Sequence, residues 1–164
     1  MKFKNLVLTL GVLMMLAFTS MAAAAPSQVN RSMTAINAAK AEIPAVCELV
    51  GYNVDGDTSI ITFKDPNTLE RYVVDVNTAT AKVQEIEVKG ATFVMGSTMV
   101  TKTPDDIEKI VLKNYPNAYE IVITQGQDGN NIYYIADFLT DKFDGELKLD
   151  PVTGAICERE LEYC

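Results

Sequence analysis

Residues 103–124, TPDDIEKIVLKNYPNAYEIVIT, decide the fold because they contain a helix start, a helix stop and a strand. Thr103 is a suitable N-cap residue, and Pro104 suits the first helical position. The carboxylates of Asp105 and Asp106 complement the positive end of the helix dipole. The stretch therefore predicts a helix that begins at about Pro104.

The residues that follow change from helical to strand periodicity. Ile107, Ile110, Val111 and Tyr115 recur on one helical face, and Pro116 ends the helix. Four strand-like runs come next, at residues 119–124, 132–139, 144–149 and 155–161. This order predicts a helix packed on an antiparallel meander.

The preceding half of the chain shows the same order of patterns. A helical stripe of Met33, Ile36, Ala39 and Ile43 comes first, and strand-like runs follow at 46–52, 59–64, 70–76 and 83–88. Three residue pairs also correspond at a constant spacing: Pro44 and Pro116, Glu48 and Glu120, Val50 and Val122. The sequence therefore predicts an α+β fold of two tandem repeats, each a helix packed on an antiparallel β-meander of about four strands.

The N-terminus has the three parts of a secretory signal peptide. Lys2 and Lys4 precede the uncharged apolar run 6–18, and the small residues 22–25 follow it. The apolar run is shorter than the roughly 20 residues that a spanning helix needs. We therefore expect a secreted, periplasmic or cell-envelope protein without a stable membrane anchor. The predicted division is a signal peptide at 1–24, a first unit at 25–89, an apolar linker at 90–102 and a second unit at 103–164.

Composition narrows the chemistry that the chain can perform. It has 22 acidic and 14 basic residues, a formal charge of −8 and no histidine. The negative charge disfavours nucleic acid as a partner, and the missing imidazole excludes histidine-based triads and histidine metal ligands. The segment 53–57 resembles a calcium loop, but Thr58 stands where an EF-hand needs glycine and Lys64 where it needs glutamate. We predict no cofactor and no metal centre.

Paired carboxylates are the one catalytic option that remains. The candidates are Asp137, Asp141 and Asp144 in one group and Glu158, Glu160 and Glu162 in the other. The second group alternates along a strand, which is typical of the solvated face of a sheet. We therefore interpret these carboxylates as surface charge and predict that the protein is not an enzyme.

The three cysteines, Cys47, Cys157 and Cys164, allow one disulfide in an oxidising compartment. On a continuous strand Cys157 and Cys164 would lie roughly 23 Å apart, so they can pair only if the tail folds back. Cys47 could pair with either of them. The alternative is that Cys47 is a buried core thiol.

Two glycine-containing loops are candidate contacts for a partner. Asp55 and Asp57 belong to the first loop, and Asp128 and Asn130 belong to the second. The alternative interpretation of both is an ordinary hairpin turn.

The second unit resembles the PepSY domain family. The resemblance depends on the helix that ends at Tyr115-Pro116, the alternating strands, and the motif DPVTGAI at residues 150–156. Asp150 and Thr153 can hydrogen-bond to backbone groups in a tight turn, and Gly154 accepts a positive φ. The first unit departs from the motif, since it has Asn77 and Ala81 at the corresponding positions.

The resemblance implies a binding function. PepSY domains occur in propeptides of secreted metallopeptidases and in other exported proteins, and the family has no catalytic residues to carry over. The leading hypothesis is therefore an exported non-catalytic protein-binding module with a protein partner outside the cytoplasm. In one form of it, the partner is a secreted peptidase that the module inhibits or regulates. The alternative hypothesis is an extracytoplasmic protein that binds a small ligand or a cation.

Overall fold

The computed structural model describes residues 25–90 and 96–164, with side chains from residue 30 onward. The predicted signal peptide and residues 91–95 of the predicted linker lie outside the described residues. The helices are α1 (Ala25–Ala41) and α2 (Pro104–Asn114). The strands are β1 (Glu48–Asp55), β2 (Thr58–Lys64), β3 (Arg71–Asn77), β4 (Val83–Lys89), β5 (Tyr119–Asp128), β6 (Asn131–Leu139), β7 (Phe143–Leu149) and β8 (Ile156–Tyr163).

All eight strands form one antiparallel sheet in the order β1-β2-β3-β4-β8-β7-β6-β5. The prediction of an α+β fold with two tandem helix-plus-meander repeats is therefore wrong. The described part of the chain is mostly β, with two short helices, and β4 pairs directly with β8 in the middle of the sheet.

The pairing of β4 with β8 has a physical reason in the side chains of β8. Leu161 packs against both hydrophobic clusters of the sheet, the one next to α1 and the one next to α2. Arg159 forms an ion pair with Glu70 at 3.4 Å, which joins residues 89 positions apart in the chain. Two separate meanders would have two more sheet edges with unpaired backbone N–H and C=O groups. The pairing of β4 with β8 satisfies these groups.

Both helices lie on the same face of the sheet, called here the helix face. Ala35 and Ala39 bury the inner side of α1, and their small side chains allow a close approach to β2 and β3. Ile43, just after the helix, is buried in the same cluster. Met33 is 53% exposed, so its predicted place on the buried stripe is wrong. The opposite face, called the open face, is covered by no helix or strand of residues 25–90 and 96–164.

The predicted start of α2 is confirmed. Thr103 is the N-cap, and its hydroxyl accepts a hydrogen bond from the Asp106 backbone N–H. The Asp106 carboxylate in turn accepts one from the Thr103 N–H, which completes a capping box. Ile107 and Val111 are fully buried against β6 and β7.

The turn predicted at residues 150–156 is confirmed as a structural motif. Asp150 Oδ1 accepts hydrogen bonds from the N–H groups of Val152 and Thr153 and from the Thr153 hydroxyl. Gly154 has φ +75°. The motif therefore shapes the β7–β8 connection.

The corresponding turn after β3 has the same hydrogen bonds with different residues. Asn77 Oδ1 accepts hydrogen bonds from the N–H groups of Ala79 and Thr80. Ala81 has φ 55° at the place of the glycine.

Within the described residues, neither helix combines the length and the apolar character that crossing a bilayer requires.

Candidate binding surfaces

Strand β1 is an unpaired edge with an apolar surface. It pairs with β2 on one side only, and no strand of residues 25–90 and 96–164 pairs with the backbone groups on its other side. Four large apolar side chains of this strand are exposed: Leu49 (44%), Val50 (58%), Tyr52 (38%) and Val54 (47%). We call this surface the β1 edge, defined by residues Glu48–Asp55.

The register with β2 separates the side chains of β1 by chemistry. Leu49, Tyr52 and Val54 lie opposite the buried residues Phe63, Ile61 and Ser59, and so they project toward the helix face. Glu48, Gly51, Asn53 and Asp55 project toward the open face, opposite Lys64, Thr62, Ile60 and Thr58. The β1 edge is therefore apolar on one side and polar, with an acidic residue at each end, on the other.

The apolar side of β1 is exposed because α1 packs mainly against other strands. This helix packs against β2 and β3. A groove of about 630 Å³ remains between the N-terminal half of α1 and the β1–β2 hairpin. It is lined by Arg31, Ser32, Tyr52, Val54, Gly56, Asp57, Thr78 and Ala79.

The hydroxyl groups of Tyr52 and Thr78 in this groove already have a hydrogen-bond partner. Ser59 is fully buried, and its hydroxyl is hydrogen-bonded to Tyr52 at 3.2 Å and to Thr78 at 3.2 Å. The groove therefore offers mainly the apolar surfaces of Tyr52 and Val54 to a further side chain.

The other edge strand, β5, is more protected. Helix α2 packs against β5, and Ile121 and Ile123 are partly buried beneath it. A bulge between Tyr119 and Val122, with Glu120 at φ 50°, interrupts the ladder. Helix cover and bulges are two ways in which proteins prevent strands from adding to an edge. Both edge strands have a bulge, so the cover by α2 is what distinguishes β5 from β1.

The open face carries two rows of carboxylates that run across the central strands. Asp75, Glu85, Glu162 and Asp144 lie directly opposite one another along the first row. Glu87, Glu160, Glu146 and Asp137 do so along the second row. We call these eight residues the acidic rows. Like charges at opposed positions destabilise a sheet, so this arrangement is costly for the fold.

The electrostatics of the acidic rows follow from burial and crowding. Partial burial and then the charge of Glu87 raise the pKa of Asp75. Partial burial and then Glu160, with further carboxylates around it, raise the pKa of Glu85. The pKa of Glu160 is raised by burial and by Glu146. These three carboxylates hold protons more tightly than free ones.

Cations lie in the next row of the open face. Lys64, Arg71, Lys89 and Lys148 occupy this row together with Glu158. Lys89 contacts Glu87 at 2.6 Å, and Lys148 contacts Glu146 at 3.5 Å and Glu158 at 3.4 Å. Lys89 and Lys148 therefore balance part of the charge of the second acidic row, which lies next to them. The first acidic row stays negative.

The sequence-predicted carboxylates are partly brought together. Asp137, Asp144, Glu160 and Glu162 line one shallow depression of about 400 Å³ on the open face, with Glu120 and Glu146. Glu158 pairs with Lys148 instead, and Asp141 lies in the β6–β7 turn. No group of three or more acidic or cysteine side chains in the described part of the chain is arranged to hold a metal ion.

The four loop residues predicted as partner contacts lie in two separate hairpin turns. Asp55 ends β1 and Asp57 lies in the β1–β2 turn, while Asp128 ends β5 and Asn130 lies in the β5–β6 turn. Because β1 and β5 are the two outer strands and run in opposite directions, these turns lie at opposite edges and opposite ends of the sheet. The structure does not bring the two pairs into one site.

All three cysteines are free in the structure. Because β8 is continuous from Ile156 to Tyr163, the tail does not fold back, and Cys157 and Cys164 cannot pair. Cys47 is buried in the cluster beneath α1, where burial and then Asp65 and Glu70 raise its pKa. Burial also raises the pKa of Cys157. Neither Cys47 nor Cys157 is therefore an activated nucleophile.

The sequence analysis identified one residue of the β1 edge, Asp55, as a partner contact, but it did not identify the exposed apolar side chains of this strand. One signal for the edge is present in the sequence. Residues 41–63 contain no lysine or arginine, and the apolar residues of β1 have no basic neighbour of the kind that usually protects an edge. Which strand forms the edge became clear only from the sheet order.

Comparisons with known proteins give little further information. The sequence matches no protein-family profile and no curated protein. One solved structure is similar, a "putative lipoprotein" from Clostridium difficile 630, at 18% identity over 78% of this chain and 90% of that one. Its TM-score of 0.32 is too low to support an argument about fold or function.

Proposed function

We propose that this chain is an exported, non-catalytic module that binds another protein by accepting an extended segment of it along the β1 edge. The observation that carries the proposal is an unpaired strand with four exposed large apolar side chains. Added strands gain main-chain hydrogen bonds from the edge, and side-chain contacts give them specificity. An exposed apolar edge without such a use would be an aggregation site.

Two sequence features support the remaining parts of the proposal. The signal-peptide pattern at residues 1–24 supports a location outside the cytoplasm, in the envelope or the medium. The PepSY resemblance supports a peptidase as one class of partner. In that form of the proposal the module inhibits by occupying the peptidase's own strand-binding cleft.

The test is partner capture by matched edge variants. The processed chain, Val54→Lys and Val122→Lys are used as bait against culture supernatant and envelope fractions of the source organism. Val122 is the matched control because it is an exposed valine (54%) on the other edge strand. We expect saturable capture by the wild type and by Val122→Lys, and at least tenfold less by Val54→Lys.

Hydrogen exchange of the captured complex then locates the contact. The amides of residues 51–55 should become protected when the partner binds. Loss of activity of a captured peptidase would support the inhibitory form of the proposal. Equal capture by all three baits, or protection elsewhere with an unprotected β1, would contradict strand addition.

A further inference from the structure

The shape and charge of the β1 edge define which segment it can accept. Eight residues of β1 face seven residues of β2, because a bulge between Leu49 and Gly51 places Val50 outside the register. A strand added to the free side of β1 would therefore match the β1 edge with about seven residues. Alternate residues of that strand would lie on the helix face beside Leu49, Tyr52 and Val54.

The ends of the β1 edge are acidic and lack their own counter-ions. Glu48 and Asp55 lie at the two ends, with Asp57 in the adjoining turn. No ion pair among the described residues includes any of these three carboxylates. The nearest cations by position are Lys64, opposite Glu48 on β2, and Arg31 in the groove that Asp57 lines. The Asp55 end is therefore the less balanced of the two.

This charge pattern argues against a second copy of the same chain. Residues 41–63 contain four carboxylates and no lysine or arginine. If two β1 strands paired antiparallel over their length, the Glu48 end of one would meet the Asp55 end of the other, twice. Like charges at opposed positions destabilise such a pair.

We infer that the β1 edge accepts a seven-residue strand of a different protein, with apolar residues at alternate positions and lysine or arginine at both ends. The inference depends on the proposed function, since it names the partner of that same surface. The apolar residues join Tyr52 and Val54 on the helix face. The basic ends lie on the open face beside Glu48 and Asp55.

Two synthetic peptides test this chemistry directly. Lys-Val-Thr-Trp-Thr-Val-Lys has the inferred pattern, and Glu-Val-Thr-Trp-Thr-Val-Glu differs only at its ends. Both peptide sequences are palindromic, so the direction in which the peptide lies along β1 does not affect the comparison. The protein has no tryptophan, so the peptide's fluorescence reports binding without background.

The basic peptide should bind the processed chain at least tenfold more tightly than the acidic one at low ionic strength, and raised salt should narrow the difference. A double variant, Glu48→Lys with Asp55→Lys, should reverse the preference. Val54→Lys should weaken binding of the basic peptide, and Val122→Lys should not. Circular dichroism of each variant checks that it is folded.

Several outcomes would overturn the inference. They also distinguish its failure from a failure of the proposed function. Equal affinity for the two peptides would contradict the basic ends but not strand addition. If neither peptide binds while capture of the natural partner still depends on Val54, the inferred peptide pattern is wrong but strand addition is not contradicted. If wild-type chains self-associate on sedimentation and Val54→Lys makes them monomeric, the occupant is a second copy. If Val54→Lys changes neither capture nor peptide binding, the proposed function itself fails.

Discussion

At the scale of single residues, the turn that connects β7 to β8 shows how local chemistry specifies backbone shape. Gly154 combines a positive φ with close packing. A Cβ at this position would lie 2.5 Å from Ile110 Cδ1 and 2.9 Å from Lys102 Cε. Glycine is therefore required mainly for its conformation, since the nearby atoms are the ends of flexible side chains that can shift.

Gly154→Ala should lower the free energy of unfolding by about 2 kcal/mol, mostly from backbone strain and to a smaller extent from displacing the ends of Ile110 and Lys102. Gly129→Ala is the matched control, since Gly129 has φ +58° but no atom within 4 Å of the point that a Cβ would occupy. It should cost only about 1 kcal/mol, from strain alone. Urea denaturation measures both values. Equal costs would show that the contacts with Ile110 and Lys102 contribute nothing.

The roles of the residues in this turn could be predicted from the sequence. Asp150, Thr153 and Gly154 have side chains or a backbone freedom that act within a few positions, and the structure confirms their roles. Met33 shows the limit of such reasoning. Met33 fits the apolar period of α1 but is exposed. Ala35 and Ala39 form the buried side of the helix, because a close approach to β2 and β3 favours small side chains.

At the scale of elements, the acidic rows make the stability of the sheet depend on pH. The raised pKa values of Asp75, Glu85 and Glu160 mean that the folded state binds more protons than the unfolded state between their ordinary and raised values. Stability should therefore rise as the pH falls from about 7 toward about 5. Below about pH 4 the trend should reverse, since hydrogen bonds lower the pKa of Asp106.

Glu85→Gln provides the test because this residue lies opposite both Asp75 and Glu162. The variant should unfold at higher urea concentration than the wild type at pH 7, by up to about 1 kcal/mol in free energy. Its advantage should shrink as the pH falls toward 5, because the raised pKa values of the wild-type carboxylates favour their protonated forms. Glu108→Gln, an exposed position on α2, is the control. A wild type whose stability falls steadily from pH 7 to pH 5 would contradict this account.

The elements themselves could largely be placed from the sequence. All eight strand-like runs correspond to strands, with ends that differ by a few residues. Alternation also predicted that one side of the last strand is solvated, and Glu160 and Glu162 do lie on the open face. The prediction is wrong for Glu158, which shares this face but is only 9% exposed, beneath its ion pair with Lys148. The rows across strands could not be foreseen, since they depend on which strands are neighbours.

At the scale of the whole molecule, the sequence reasoning failed on the fold class. A period of two describes the faces of one strand and contains no information about its lateral partner. The β4–β8 pairing joins segments more than 65 positions apart, and only the completed sheet shows that Leu161 serves both hydrophobic clusters. The β1 edge is hidden from the sequence for the same reason.

Leu161→Ala should therefore destabilise both halves of the sheet together. We expect a loss of about 2–3 kcal/mol, at the low end for a leucine because the side chain is only partly buried. Leu112→Ala, on the exposed side of α2, should cost far less. Native-state hydrogen exchange measures the effect at β2–β3 and at β6–β7 separately. Faster exchange in only one of these regions would mean that the halves unfold independently.

The central place of β8 also has a consequence for how the chain is made. This strand is last of the eight in chain order but lies in the interior of the sheet, so the edge of β4 stays open while the intervening residues are synthesised. During that interval a nascent chain would present two unpaired borders, at β1 and at β4. Only the arrival of β8 removes one of them. The finished protein keeps the other, at β1, and a strand supplied by a bound partner could close it.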